Sequence, residues 1–251
     1  MEQTGHLLKP DGTSLAWAHL PGKAPTIVFL PGFHSDMAGS KALAVLDFCR
    51  CHGQAMLRLD YSGHGASGGA FEEGSIGQWT EDARAIIEHR IDGAMILVGS
   101  SMGGWIALLL ARMFCARVAA LIGIAAAPDF TETLMWQSMA PIEQQALMKH
   151  GRISVPSDYG TPLVITRHLI EDGRTHLVLN QPIALDAPVR LLQGQCDPDV
   201  PWETAVKLAS RLTSDNVQIV LIKDGDHRLS RPSDLALLTR TLGALLRENG
   251  L

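Results

Sequence analysis

Met95-Ile96-Leu97-Val98-Gly99-Ser100-Ser101-Met102-Gly103-Gly104-Trp105-Ile106 is the stretch whose reading decides the fold. Met95–Val98 is a short, unbroken apolar run, as expected of a strand buried on both faces. From Met102 the apolar residues run on to Phe114 over the length of a helix. Between them lies Gly99-Ser100-Ser101-Met102-Gly103, a G-x-S-x-G motif. The motif alone is weak, since small residues recur by chance. A strand before it and a helix after it supply the context it needs. So tight a turn leaves no room for side chains at its flanks, hence glycine there. The turn thrusts Ser101 out at the carboxyl end of its strand, where ligands bind in open α/β sheets. Ser101 also stands at the start of the next helix, whose N–H groups favour developing negative charge. It is the candidate nucleophile. Ser100 lacks glycines at the required flanks and is assigned to the pocket lining.

The same alternation extends in both directions. Apolar runs at Thr26–Leu30, Ala55–Leu59, Val118–Ile124, Val189–Leu192 and Val217–Ile222 each end in Gly, Pro, Asp or an alanine run. Helical patterns fall between them, at Ser40–Cys51, Ile76–His89, Trp202–Leu212 and Asp234–Leu246. Strand–helix alternation implies βαβ units, hence a mostly parallel, doubly wound α/β sheet. Leu7–Lys9 and Ser14–His19 flank the turn signal Pro10-Asp11-Gly12-Thr13, which predicts an antiparallel hairpin at the sheet edge. From Pro128 to Pro182 the rhythm lapses. Thr131–His150 reads as helical and is rich in Met, and Tyr159–His168 as a second short element. We expect a small cap insertion over about 129–182 in an otherwise single domain, because adaptable Met-rich surfaces suit varied apolar ligands.

A serine hydroxyl needs a general base. Of ten histidines, His227 follows the last expected strand in Asp224-Gly225-Asp226-His227 and precedes the closing helix. The order Ser…Asp…His, with the histidine after the last strand, is that of the α/β-hydrolase fold. Gly194-Gln195-Cys196-Asp197-Pro198-Asp199-Val200-Pro201 offers two carboxylates; Asp197 is the expected acid and Asp199 the fallback. The acid would hold the histidine tautomer without taking the proton. The oxyanion donors are expected from the backbone N–H of Met102 and of Phe33, in Pro31-Gly32-Phe33-His34 after the first parallel strand. His34, Trp136 and Val200 join Ser100 as expected pocket lining; His64 is a second strand-tip histidine. Asp60–Gly68 superficially resembles a phosphate cradle, but no Lys-Ser/Thr follows, and it reads as a tight loop under the site. No cluster has metal-ligand spacing, so neither metal nor cofactor is expected.

Composition narrows the class. The 251 residues are 46% hydrophobic, with 21 Lys and Arg against 26 Asp and Glu and no basic stripe, so a nucleic-acid surface is not expected. None of the four cysteines forms a CxxC pair; they read as reduced thiols, Cys115 within a core helix. The polar N-terminus reads as neither signal nor transit peptide, and no apolar run approaches the roughly 20 residues of a membrane span. A cytoplasmic, bacterial protein is the expectation; its oligomeric state has no signature in the sequence.

Leu30-Pro31-Gly32-Phe33-His34-Ser35, Gly39-Ser40-Lys41-Ala42-Leu43-Ala44 and Leu59-Asp60-Tyr61-Ser62-Gly63 together resemble the ABHD10 family of α/β-hydrolases. Val98–Trp105, Pro188–Leu192 with Asp197 and Val200-Pro201-Trp202, and Asp226-His227-Arg228 extend the resemblance to the C-terminus. It implies a serine esterase or thioesterase acting on S-acyl cysteines and acyl glucuronides, with Ser101, Asp197 and His227 as its triad. The expected partner is a small-molecule or acyl-protein ester or thioester. Two other readings exist: a ligand receptor of the same fold, which would typically lose a triad member, and the same triad serving a peptidase or perhydrolase.

Overall fold

The strand Lys23–Leu30 shows how the sheet divides its surroundings. Successive side chains of a strand point to opposite faces, so a run with no polar break needs an apolar layer on each side. Ile27 and Phe29 join one core with Ala42, Val45, Leu46 and Leu242. Val28 and Leu30 join the other, with Trp79, Trp105 and Leu108. Ile96 and Val98 against Met95 and Leu97 repeat the division one strand away.

The computed structural model describes residues 1–155 and 162–248. In chain order the elements are β1 (Gln3–Leu8), β2 (Ser14–Leu20), β3 (Lys23–Leu30), α1 (Ser40–His52), β4 (Gln54–Leu59), α2 (Ile76–Arg90), β5 (Met95–Ser100), α3 (Met102–Met113) and β6 (Val118–Ile124). There follow α4 (Pro141–His150), β7 (Arg152–Val155), β8 (Leu163–Thr166), α5 (Arg167–Thr175), β9 (Val189–Gly194), α6 (Glu203–Arg211), β10 (Val217–Ile222) and α7 (Pro232–Glu248). Eight strands form one sheet in the order β1-β2-β4-β3-β5-β6-β9-β10. β1 pairs with β2 and β2 with β4 antiparallel; all other neighbours are parallel. The expected edge hairpin and parallel sheet are both present. α1 and α7 cover one face, α2, α3 and α6 the other. Local signals set the helix ends: the Ser75 hydroxyl accepts from the Gln78 N–H to start α2, and Gly53, at φ 66°, ends α1 in the left-handed region that glycine tolerates.

The excursion between β6 and β9 differs from its reading. The helical stretch expected over 131–150 is broken into a π-helical turn at Thr131–Met135, a 3-10 turn at Trp136–Ser138 and α4. Pro141, which lacks an N–H, opens α4 at the position where proline is tolerated. The sequence reading has no strands here, yet β7 and β8 pair antiparallel, Arg152 opposite Thr166. Of the element expected at Tyr159–His168, residues 159–161 lie outside the described residues; the remainder is β8 and the start of α5. Met139, Leu147, Ile165 and Ile170 form a small core of their own. The two ends of the excursion meet at Asp129, whose buried carboxylate accepts from Val178 N–H at 2.8 Å and Leu179 N–H at 2.9 Å. Cys115 is exposed in a turn beyond α3 rather than in a core helix, because α3 ends at Met113 as the chain swings into β6. No helix among the described residues is long and apolar enough to cross a membrane.

Candidate active site

Ser101 occupies the one-residue joint between β5 and α3, at φ 53° and ψ −120°. A non-glycine residue there stores strain, of order 1–3 kcal/mol, which its surroundings must hold. They do so through the backbone: Ser101 N–H donates to Ile124 at 2.9 Å, and Ser101 C=O accepts from Gly104 and Ala127. The flanking glycines are demanded by close approach. A Cβ on Gly103 would lie 2.1 Å from the Leu30 carbonyl oxygen, and one on Gly99 2.2 Å from that of Gly103. α3 therefore starts in contact with β3 and β5, and the serine has nowhere to go but outward.

Asp197 lies on the loop after β9, and His227 on the segment between β10 and α7, at the same sheet end. His227 Nε2 is 3.0 Å from Ser101 Oγ, and His227 Nδ1 is 2.9 Å from Asp197 Oδ2. The Asp197 side chain is fully buried and every lone-pair direction is used. Oδ2 also accepts from Gln193 Nε2 at 3.0 Å, and Oδ1 from the N–H groups of Asp199 (2.9 Å) and Val200 (2.8 Å). Burial pushes this carboxyl's pKa up, but the hydrogen bond and charge of His227 and the two amides outweigh it and leave the pKa below the usual value. An ionised carboxylate only accepts, so the facing nitrogen, Nδ1, carries the ring proton. Nε2 then presents its lone pair to the serine hydroxyl, the arrangement a general base requires.

Asp199, the fallback acid, is exposed and meets Asp197 through its backbone N–H. Its carboxylate with Asp197 and His227 brings three possible metal-ligating atoms within 4.8 Å of one another. The donor set does not fit a cation, since the Asp197 oxygens already accept four N–H groups, one from the histidine itself.

The β3–α1 loop closes the other side. A Cβ on Gly32 would stand 3.3 Å from Ser101 Cβ, so this backbone passes directly beside the serine and brings the Phe33 amide with it. The Phe33 ring is held edge-on among His34, Phe71, Trp79 and Phe130, with centroids 4.8–5.8 Å away. Met102 begins α3, so its N–H is one of the four that have no partner within the helix. A cavity of about 240 Å³ opens on Ser101 and His227, lined also by Ser100, Phe33, His34, Lys41 and Arg228.

Ser100 and His34, both expected as pocket lining, are among the residues around this cavity. Val200 and Trp136 do not line this cavity. Val200 is buried beneath the acid, where its N–H donates to Asp197 and its C=O accepts from Gln193 at 3.1 Å. Trp136 stays within the excursion, packed on its small core with the Arg174 guanidinium 4.5 Å above the ring. His64 is 4% exposed among Tyr61, Phe71 and Trp79, and burial, with His34 adding and the Ser62 carbonyl and Asp82 opposing, lowers its pKa to about 4. Sequence reasoning missed Gln193. Its signal is an uncharged polar residue directly after Leu191-Leu192 at the end of a buried strand, just before a glycine.

The family model described as "Serine aminopeptidase, S33" matches residues 23–159. The human protein "Palmitoyl-protein thioesterase ABHD10, mitochondrial" is 41% identical over 242 residues, covering 96% of this chain and 79% of its own. Among solved structures, a putative hydrolase from Agrobacterium vitis S4 superposes with a TM-score of 0.93 at 41% identity, covering 98% of this chain and 99% of that one. Alpha/beta hydrolase domain-containing protein 10 from mouse does so with 0.91 at 37%, covering 98% and 99%.

Proposed function

The chain belongs to the ABHD10 family of α/β-hydrolases, serine hydrolases of ester or thioester bonds, and on that premise we propose that it works through an acyl-enzyme on Ser101. The observation that carries this reading is the relay of contacts from Ser101 Oγ to His227 Nε2 at 3.0 Å and from His227 Nδ1 to Asp197 Oδ2 at 2.9 Å. Ser101 attacks the acyl carbonyl while His227 takes its proton. The N–H groups of Phe33 and Met102 receive the developing oxyanion, each worth about 2.7–4 kcal/mol in the transition state. As the tetrahedral adduct collapses, the C–O or C–S bond breaks and His227 returns the proton to the departing alcohol or thiol. Water, deprotonated by His227, attacks the acyl-enzyme and releases the acid and free Ser101. Asp197 fixes the tautomer and stabilises the imidazolium that forms at each step.

The substrate in this reading is a small-molecule or acyl-protein ester or thioester. At about 240 Å³ the cavity is below the usual 300–1,000 Å³ range of ligand sites, which favours a compact acyl group. The excursion between β6 and β9 serves as a cap insertion on a single domain. A reducing compartment, the cytoplasm in our reading, suits four cysteines without disulfides. A fluorophosphonate probe with p-nitrophenyl acetyl, butyryl and palmitoyl esters tests the reading. Labelling should vanish in Ser101→Ala together with hydrolysis, and acetyl and butyryl esters should turn over fastest. Undiminished hydrolysis by Ser101→Ala would sink it.

A further inference from the structure

His227 rides on residues 223–231, a segment with no helix or strand of its own between β10 and α7. Upstream of the histidine the segment is well fastened. Cys196 N–H donates to the Gly225 carbonyl at 2.9 Å, and Gly194 and Gly225 touch so closely that a Cβ on Gly194 would lie 2.3 Å from the Gly225 oxygen. Downstream, Leu229 takes φ 44° and donates to the Asp226 side chain, and Arg231 pairs with Asp224 and Asp234. These polar contacts lie within the segment or at the foot of α7, so they shape it without tying it to the sheet end that carries Ser101.

Besides the Leu229 side chain, which is buried in the core beneath α1 and α7, the polar tie to the body comes from the first turn of α1. Lys41 Nζ donates to the carbonyl of Arg228, the residue that follows His227, and reaches Ser230 Oγ at 3.5 Å. Ser40 Oγ donates to Ser230 Oγ at 3.2 Å, and Ser230 Oγ donates in turn to the Arg228 carbonyl at 3.0 Å. Two neighbouring residues thus grip the histidine segment from 187 to 190 positions away in the chain. Among the described residues no carboxylate pairs directly with Lys41. Burial draws its pKa below the usual lysine value, Asp226 and Asp234 opposing and Arg228 adding. A partly desolvated ammonium bound to a main-chain carbonyl is an unfavourable placement for a merely solubilising lysine.

We propose that Lys41 is a positioning residue for the hydrolysis: by holding the Arg228 carbonyl to α1, it keeps His227 Nε2 at hydrogen-bond distance from Ser101 Oγ. Proton transfer requires that distance, and a displacement of about 1 Å costs about 100-fold in rate. The proposal rests on the acyl-enzyme reading, in which His227 is the base.

The test is Lys41→Met, which keeps an unbranched side chain and removes the donors, with Lys41→Arg, which restores them. Both are made in the wild type and in His227→Ala and followed by kcat and KM for p-nitrophenyl acetate. Lys41→Met should lower kcat about 10- to 100-fold with KM near the wild-type value, and Lys41→Arg should recover most of it. In His227→Ala, Lys41→Met should add no further loss, since a residue acting only through the histidine has nothing left to act on. Unchanged kcat, a change confined to KM, or an equal loss in the His227→Ala background each overturns the proposal. Should Lys41→Met fail to fold, Ser230→Ala trims the same grip without altering charge and should give the same pattern, about 3- to 10-fold in kcat; an inert Ser230→Ala then overturns it. Wild-type kcat in His227→Ala would instead remove the acyl-enzyme reading itself.

Discussion

Replacing Asp197 with asparagine keeps every heavy atom in place, and its effect follows from which groups face the side chain. The carboxylate meets donors only: Asp199 and Val200 N–H at Oδ1, Gln193 Nε2 and His227 Nδ1 at Oδ2. The asparagine NH₂ must face one of these pairs. On the first side it would meet two main-chain N–H groups that cannot turn into acceptors. On the second side both partners can adapt. The Gln193 amide can flip to offer Oε1, a buried atom with no partner in the wild type, in exchange for its bond to the Val200 carbonyl. His227 can move its proton from Nδ1 to Nε2. The NH₂ therefore settles toward the histidine and imposes the wrong tautomer, in which Nε2 donates to Ser101 and no longer removes its proton. Packing is unchanged, so the loss is purely one of chemistry: about 10⁴-fold in kcat, or about 5.5 kcal/mol at about 1.36 kcal/mol per tenfold. The assay is steady-state hydrolysis of p-nitrophenyl acetate at neutral pH by Asp197→Asn and Asp199→Asn, with circular dichroism to confirm folding. Asp199→Asn should stay within about twofold, because Asp199 contributes its backbone. If Asp197→Asn retains more than about a tenth of wild-type turnover, or Asp199→Asn carries the loss, the assignment of the acid is refuted.

Further outcomes follow from the same geometry. Gly103→Ala places a methyl 2.1 Å from the Leu30 carbonyl oxygen. Moving α3 away should cost about 1–3 kcal/mol, seen as a fall of several degrees in Tm and a loss of activity as Ser101 shifts; an unchanged Tm would contradict the close approach. His64 titrates near 4 when folded and near 6.5 when unfolded. Between those values only the unfolded chain holds the proton, so stability is full above about 6.5 and lost as pH falls toward 4. The change is at most about 3 kcal/mol. Urea midpoints at a series of pH values should show this limb in the wild type and not in His64→Leu, and parallel profiles would reject it. Asp129→Ala strips the acceptor from two buried amides, at about 1–3 kcal/mol each. Limited proteolysis should then cut the segment after residue 130 well before the sheet, and an unaltered cleavage pattern would count against that neck.

Much of this protein was legible from the chain, for identifiable reasons. β6 falls where its apolar run places it, because a strand buried on both faces admits few polar residues, whereas β10, a half-exposed edge strand, is marked by its β-branched residues and by Lys223-Asp224-Gly225 at its end. Ser101 was readable because the Gly99 and Gly103 contacts exclude any Cβ. His227 was readable because the order of acid and base follows the order of strands. The excursion was harder. β7 and β8 are four residues each, β7 alternates exposed with half-buried positions and β8 buries only Ile165, so their pairing depends on meeting each other across a connection rather than on any local pattern. Trp136, expected in the pocket lining, is instead taken up locally by Arg174 and the small core, contacts that no residue pattern announces. Val200 and Gln193 act through a backbone amide and a side-chain amide aimed at Asp197, and neither contact leaves a trace in residue type. Lys41 is a lysine in a helix's first turn until the distant Arg228 carbonyl is beside it.

Asp129 also governs how freely this protein can be altered. Forty-nine positions separate it from Val178, and for a flexible loop of that length the length-dependent part of the closure cost is about 3.4 kcal/mol, rising by only about 0.6 for each doubling. Because the dependence is logarithmic, adding or removing a dozen residues inside the loop changes the closure term by about 0.2–0.3 kcal/mol. Both ends are clasped by a single carboxylate, and between them Phe130 and Leu169 enter the main core while Asp172 accepts from Gly77 N–H at 2.8 Å, so length is free to change only between those anchors. α4, which lies between those anchors and packs on the small core of Met139, Leu147, Ile165 and Ile170, is therefore the place where insertions and deletions can accumulate, in a laboratory library or a diverging lineage, while Ser101, Asp197 and His227 keep their spacing.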